Sequence, residues 1–238
     1  MSEWKLKRFW KSATAELVEG GWQILLDGRP VKTPAKAPLR VPSLALAEAI
    51  AAEWDAQQEA IDPATMPLTR SANAAIDKVS TQFDEVATLI AAYGETDLCC
   101  YRAEGPEALC QGQAEAWDEL LQFARDELNA PLEFCAGVVP LAQPGPSIEA
   151  LKAEVAALDA FALTALHDLV SISGSLLIGL AAIRERFPAE DLWQRSRVDE
   201  RFQESQWGYD EEAAVTEAFK REEFLHAQRF FCLSRPSA

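Results

Sequence analysis

Histidine is nearly absent, with His167 and His226 the only two in 238 residues, and no H-E-x-x-H or C-x-x-C companion accompanies either. A dedicated metal site therefore has little to draw on. The five cysteines, Cys99, Cys100, Cys110, Cys135 and Cys232, are odd in number and form no C-x-x-C pair, so the sequence encodes neither a disulfide framework nor a zinc knuckle, and a reducing compartment fits best.

The sequence also lacks G-x-G-x-x-G, G-x-x-x-x-G-K-[ST] and G-x-S-x-G, which removes the familiar nucleotide-binding loops and the nucleophile elbow. Its longest uncharged apolar run, Leu169 to Ile183, is 15 residues and contains three serines. A membrane span needs about 20, so a buried helix is expected there. Met1 to Lys11 is charged and no apolar stretch follows it, so neither a signal peptide nor a transit peptide is read from it. No fixed-period repeat and no low-complexity tract is present.

Positive charge is in short supply: 22 Lys and Arg face 38 Asp and Glu, a net charge of −16. Such a surface repels phosphate backbones and anionic headgroups, so nucleic acid and membrane insertion are not expected. The deficit is uneven. Residues 1–40 hold eight basic and four acidic side chains, leaving the other 198 residues with an excess of 20 acidic ones. With 49% hydrophobic and 25% charged residues, the chain is otherwise that of an ordered globular protein.

Trp22, Ile24 and Leu26 alternate with Gln23 and Leu25 between the turn dipeptides Gly20-Gly21 and Asp27-Gly28, which predicts two hairpins. Pro30, Pro34, Pro38 and Pro42 recur every four residues, excluding a long helix and making the strand near Val31 to Thr33 an edge. Ser43 is a good N-cap for a helix carrying Leu46, Ile50 and Trp54 at i, i+4 and i+8, an apolar stripe able to cover the sheet.

From Met66 onward the periodicity is helical. The expected helices are Thr69 to Gln82, Phe83 to Tyr93, Glu107 to Leu128, Ser147 to Leu158, Ala160 to Arg186, Ala189 to Gln206 and Asp210 to Phe231. Pro131 to Pro146, with four prolines and two glycines, reads as a connecting loop or a hinge. The fold class is α+β: a small β-rich N-terminal domain with one packing helix (1–66), then a larger α-helical bundle domain (67–238).

Candidate chemistry is thin. A Cys99 or Cys100 nucleophile with His167 as base competes with the simpler reading of buried apolar thiols and a hydrogen-bonded core histidine. Asp199, Glu200 and Glu204 supply carboxylates on one helix face, either as an acid/base pair or as a solvated face beside Arg195, Arg197 and Arg201. Ser171, Ser175 and Gly179 form a row of small residues that permits close helix packing. Of the seven tryptophans, Trp54, Trp117 and Trp193 suit a core, whereas Trp207 ends a helix beside an acidic cluster, a position that suits a protein-binding anchor.

A series of short segments occurs in order: Arg8-Phe9-Trp10, Leu26 through Pro34, Val41-Pro42-Ser43, Glu53 through Gln57, Met66 through Thr69, Cys100-Tyr101-Arg102, Trp117-Asp118, Asp199-Glu200 and Gln206-Trp207-Gly208. On these the chain resembles the ATP synthase F(1)-sector assembly chaperones that escort the α subunit. The resemblance implies a two-part fold and a non-catalytic role. It implies a partner, the newly made F(1) α subunit, which is kept from aggregating until it pairs with β. It implies a protein of mitochondria or of some bacteria, and the lack of a readable presequence makes the bacterial cytoplasm the expectation, or the mitochondrial matrix for a processed member.

The expectations are therefore a chaperone acting as a monomer, with no catalytic, cofactor-binding or metal-binding residue. Asp199, Glu200, Phe202, Glu204 and Trp207 are the expected client-binding residues, unless they only brace helix packing. The competing expectation is an acid/base hydrolase with paired carboxylates in an interdomain cleft. A third is an adaptor that takes a peptide on an exposed sheet edge.

Overall fold

The computed structural model describes residues 7–137, 139–208 and 210–236. They divide into two compact units, the first within residues 7–83, 160–165 and 229–236 and the second within residues 84–159 and 166–228.

In the first unit, strands β1 (Ala13–Val18) and β2 (Gly21–Leu26) form an antiparallel hairpin, with Val18 opposite Gly21 and Ala13 opposite Leu26. Two very short strands, β3 (Arg29–Pro30) and β4 (Arg40–Val41), share the far edge of β2. The proline spacing explains their brevity: each proline removes a ladder donor, and the chain between them keeps only contacts such as Val31 N–H to Ile24 C=O at 2.9 Å.

Helix α1 (Leu44–Asp55) starts where expected. The Ser43 Oγ accepts from the Leu46 N–H at 3.0 Å, and Leu46, Ala47, Ile50 and Ala51 are buried against β1 and β2. Trp54 is half-buried and meets Trp10 edge-on, with ring centroids 5.2 Å apart. It thus fixes α1 to the segment ahead of β1. Helix α2 (Pro67–Ala74) begins two residues earlier than expected, with Pro67 at its first position, and passes into a π-turn over Ala75–Val79.

The second unit is helical. It holds α3 (Phe83–Ala91) from Asp84 onward, α4 (Glu107–Glu127), α5 (Gly145–Ala156), most of α6 (Ala160–Ser173), α7 (Leu176–Ile183), α8 (Ala189–Ser196), α9 (Val198–Trp207), and α10 (Glu211–Ser234) as far as Gln228. Every residue of α7 is buried, and Trp117, Leu120, Trp193 and Phe224 are among the largest fully buried side chains. A parallel two-stranded pair, β5 (Tyr101–Arg102) and β6 (Cys135–Ala136), has no counterpart in the sequence reading. It ties down the Pro131 to Pro146 loop, helped by the Ser147 hydroxyl donating to the Pro131 carbonyl at 2.7 Å.

Two expected long helices are each two helices. The apolar run that reads as one helix from Ala160 to Arg186 breaks at Gly174, whose φ of +75° no helix accommodates. Ser175 then caps α7, its Oγ accepting from the Ile178 N–H at 3.1 Å. The expected helix from Ala189 to Gln206 is interrupted at Arg197, with φ −114° and ψ 18°. The small-residue row also dissolves. Ser171 is exposed and Ser175 is a cap, leaving Gly179 to receive Val170 and Leu166. No helix among the described residues is long and apolar enough to cross a membrane.

Candidate client-binding surface

The segments singled out in the sequence have structural work to do, and the work can be named. Arg8 donates to the Asp55 carbonyl at 2.7 Å and the Gln57 carbonyl at 2.5 Å, and lies over the Trp10 ring. Asp27 accepts from the Lys11 and Ser12 N–H groups at 3.0–3.1 Å, which holds its carboxyl below the usual range. Glu53 caps α2, accepting from the Leu68 N–H at 2.7 Å, the Thr69 N–H at 2.8 Å and the Thr69 hydroxyl at 2.7 Å. Arg102 is buried between the rings of Trp117 (5.2 Å) and Phe134 (5.0 Å) and bonds Asp118 at 2.9 Å.

Asp199 belongs to the same class. Gln113, itself buried, donates to its Oδ1 at 2.6 Å and accepts from the Ala103 N–H at 2.7 Å, which fastens the start of α9 to α4. Arg195, just before α9, donates to the Ala116 carbonyl at 3.1 Å and pairs with Glu119 at 2.7 Å, while its own carbonyl accepts from the Trp117 indole at 2.8 Å. Arg197 lies over the Trp193 ring at 5.3 Å and pairs with Glu200. Burial lowers the Arg197 pKa, against the opposing pull of Glu217 and Asp199.

Beyond Glu200, among the described residues, these attachments end. Helix α9 contains no buried residue, Phe202 is half-buried, Glu204 is exposed and Trp207 is 82% exposed at its C-terminus. Gly208, with φ +92°, stops the helix there. Glu200, Glu204 and Trp207 line a hollow of about 420 Å³ together with Asp210 and Glu217 of the following segment and α10. A second hollow of about 420 Å³ is lined in part by Arg197, Glu212 and Lys220. The surface is thus a shallow, mostly acidic trough between two helices with a tryptophan at one end.

The arrangement offers little to acid/base chemistry. Glu200 and Glu204 do share a face, as i and i+4 require, but Glu200 is occupied by Arg197 and Asp199 by Gln113. The thiol alternative is contradicted more directly. Cys99 and Cys100 are buried, and burial together with the Asp97 charge pushes both thiols up, Cys100 to about 12. His167 is half-exposed rather than a core residue, and its Nδ1 bonds Asp168 at 2.9 Å. Among the described residues no group of three or more His, Cys, Asp or Glu could hold a metal ion.

Residues 7–125 match the family model described as ATP12 chaperone protein. The solved structure of Atp12 from Paracoccus denitrificans superposes with a TM-score of 0.95 at 54% identity, covering 98% of this chain and 100% of that one. The chain belongs to the ATP12 chaperone family. It is thereby placed among the assembly chaperones of ATP synthase. A candidate chaperone from Agrobacterium tumefaciens matches with a TM-score of 0.91 at 38% identity, over 96% of this chain and 86% of that one. The mitochondrial protein atp12 of Schizosaccharomyces pombe is 25% identical over 219 residues, 87% of this chain and 75% of that protein. The residues matched by the family model end within α4, so α9 and its trough lie outside them.

Two features escaped the sequence reading. The contribution of Asp210 and Glu217 to the trough depends on how α10 follows α9, which no spacing rule encodes. The role of Asp199 as a fastener needs Gln113, 86 positions away, and nothing in the sequence pairs them.

Proposed function

We propose that this ATP12-family chaperone binds the unassembled F(1)-ATPase α subunit and keeps it from aggregating until it joins β, and that the face of α9 around Glu200, Phe202, Glu204 and Trp207 is part of the client surface. The observation that carries the placement is Trp207, 82% exposed among carboxylates on a helix with nothing buried. A tryptophan this exposed, bordering an acidic hollow, suits an interface anchor. Asp199, expected in the same set, anchors α9 and contributes by holding the helix in place.

The α subunit as client follows from the family resemblance. A net charge of −16 fits a holder that stays soluble and monomeric while its client's interface is covered. The Paracoccus relative favours a bacterial cytoplasm as its compartment.

Light scattering of separately expressed F(1) α subunit, diluted from denaturant with an equimolar amount of this protein and no nucleotide, tests the reading. Suppression specific to the α subunit, weakened by Trp207→Ala and by Glu200→Lys with little change in thermal midpoint, is the expected result. Equal suppression of an unrelated aggregation-prone protein, or none, contradicts it. A large fall in midpoint for both variants would assign these residues to helix packing instead.

A further inference from the structure

Among the described residues, helix α10 carries a second unpartnered face that the trough does not use. Its first buried side chain is Phe224, so from Glu211 to Glu223, more than half of the helix, no side chain is fully buried, and Arg221 ties this stretch to Glu190 of α8. From α10 the two hollows of the trough take Glu212, Ala213, Ala214, Thr216, Glu217 and Lys220. At 100° per residue, Val215 and Phe219 fall outside the arc those residues span, four residues apart on one stripe, with Phe219 at the arc's margin beside Glu212. They are 68% and 62% exposed. Glu211 precedes Val215 by four positions and Glu222 follows Phe219 by three, and both are exposed. The stripe therefore reads carboxylate, aliphatic, aromatic, carboxylate, with one face of one helix supplying all four.

We propose that this face docks an amphipathic helical segment of the client, one whose apolar ridge is bracketed by Lys or Arg. Two exposed apolar side chains at i and i+4 fit a ridge of the same spacing on a partner helix, and the flanking carboxylates set its ends by charge. A second copy of this chain does not satisfy the same face. In an antiparallel pairing Glu211 meets Glu222, and in a parallel one each glutamate meets its own copy, so like charges oppose at both ends. The inference rests on the client-holding reading above, but it concerns residues outside the trough.

The test is titration calorimetry of the full chain with two synthetic helical peptides, one of leucine and lysine and one of leucine and glutamate, alongside binding of the F(1) α subunit. The wild type binds the lysine peptide and not the glutamate one. V215S/F219S weakens both the lysine peptide and the α subunit by at least about tenfold, and E211K/E222K does the same while flattening the salt dependence between about 50 and 300 mM. All four positions are exposed, so thermal midpoints stay at the wild-type value. Equal binding of the α subunit by wild type and V215S/F219S overturns this inference and leaves the chaperone reading standing. Failure of the wild type to bind the α subunit overturns both. Self-association of the wild type that F219S abolishes also overturns it, since the occupant is then a second copy.

Discussion

Asp97 is fully buried and accepts from the Ser175 hydroxyl at 2.7 Å, the Leu177 N–H at 3.0 Å and the Cys99 N–H at 3.0 Å. One carboxylate thus caps α7 and closes the turn before β5, and burial raises its pKa despite those donors. Asp97→Ala leaves three buried donors unpaired and should cost about 3–5 kcal/mol in urea unfolding, with Asp97→Asn losing less. Equal stability of Asp97→Ala and the wild type would contradict this placement. His167 makes a smaller, pH-dependent contribution. Its hydrogen bond to Asp168 raises its pKa above 6.5, so the stabilisation is fully present below 6.5 and fades as pH rises through the raised folded value. Because both side chains are 42% exposed, solvent screening keeps the effect below about 1 kcal/mol. The stability gap between wild type and His167→Gln should accordingly shrink from about pH 5.5 to about pH 8.5; a constant gap would assign the pair no role.

Helix α7 shows what an element can conceal. Gly179 sits so close to α6 that an added Cβ would lie 2.6 Å from Val170 Cγ2 and 2.9 Å from Leu166 Cδ1. Gly179→Ala should therefore destabilise by about 1–3 kcal/mol through overpacking, although alanine is the better helix former. Unchanged or higher stability would show that α6 yields freely. Elements with local signals were legible in the sequence. Ser43 announces α1 because a cap and an i, i+4 stripe coincide, and the β1–β2 hairpin follows from alternation between turn dipeptides. The break at Gly174 was hidden because the apolar run continues through it, and one glycine inside such a run is ordinarily tolerated. Strands β5 and β6 are two residues each and exist only as a pairing across more than 30 positions, beyond any local periodicity.

At the scale of the whole molecule the charge is partitioned along the chain: residues 1–40 carry an excess of four positive charges and the remainder an excess of 20 negative ones. In α9 and the first half of α10 this acidity meets exposed Trp207, Val215 and Phe219, a pattern that spends solubility on contact area. The acidic and aromatic character of α9 was readable from composition alone, whereas its division into an anchored start at Asp199 and a free end at Trp207 required Gln113 and Arg197 to be placed. On the proposed function, this free surface, and not the N-terminal sheet, holds the client. Amide hydrogen exchange of the full chain with and without the F(1) α subunit tests it most directly. Slowed exchange is expected across Val198–Trp207 and the first half of Glu211–Ser234, with exchange in Ala13–Leu26 as in the free protein. Protection confined to Ala13–Leu26, with both helices unaffected, would contradict it.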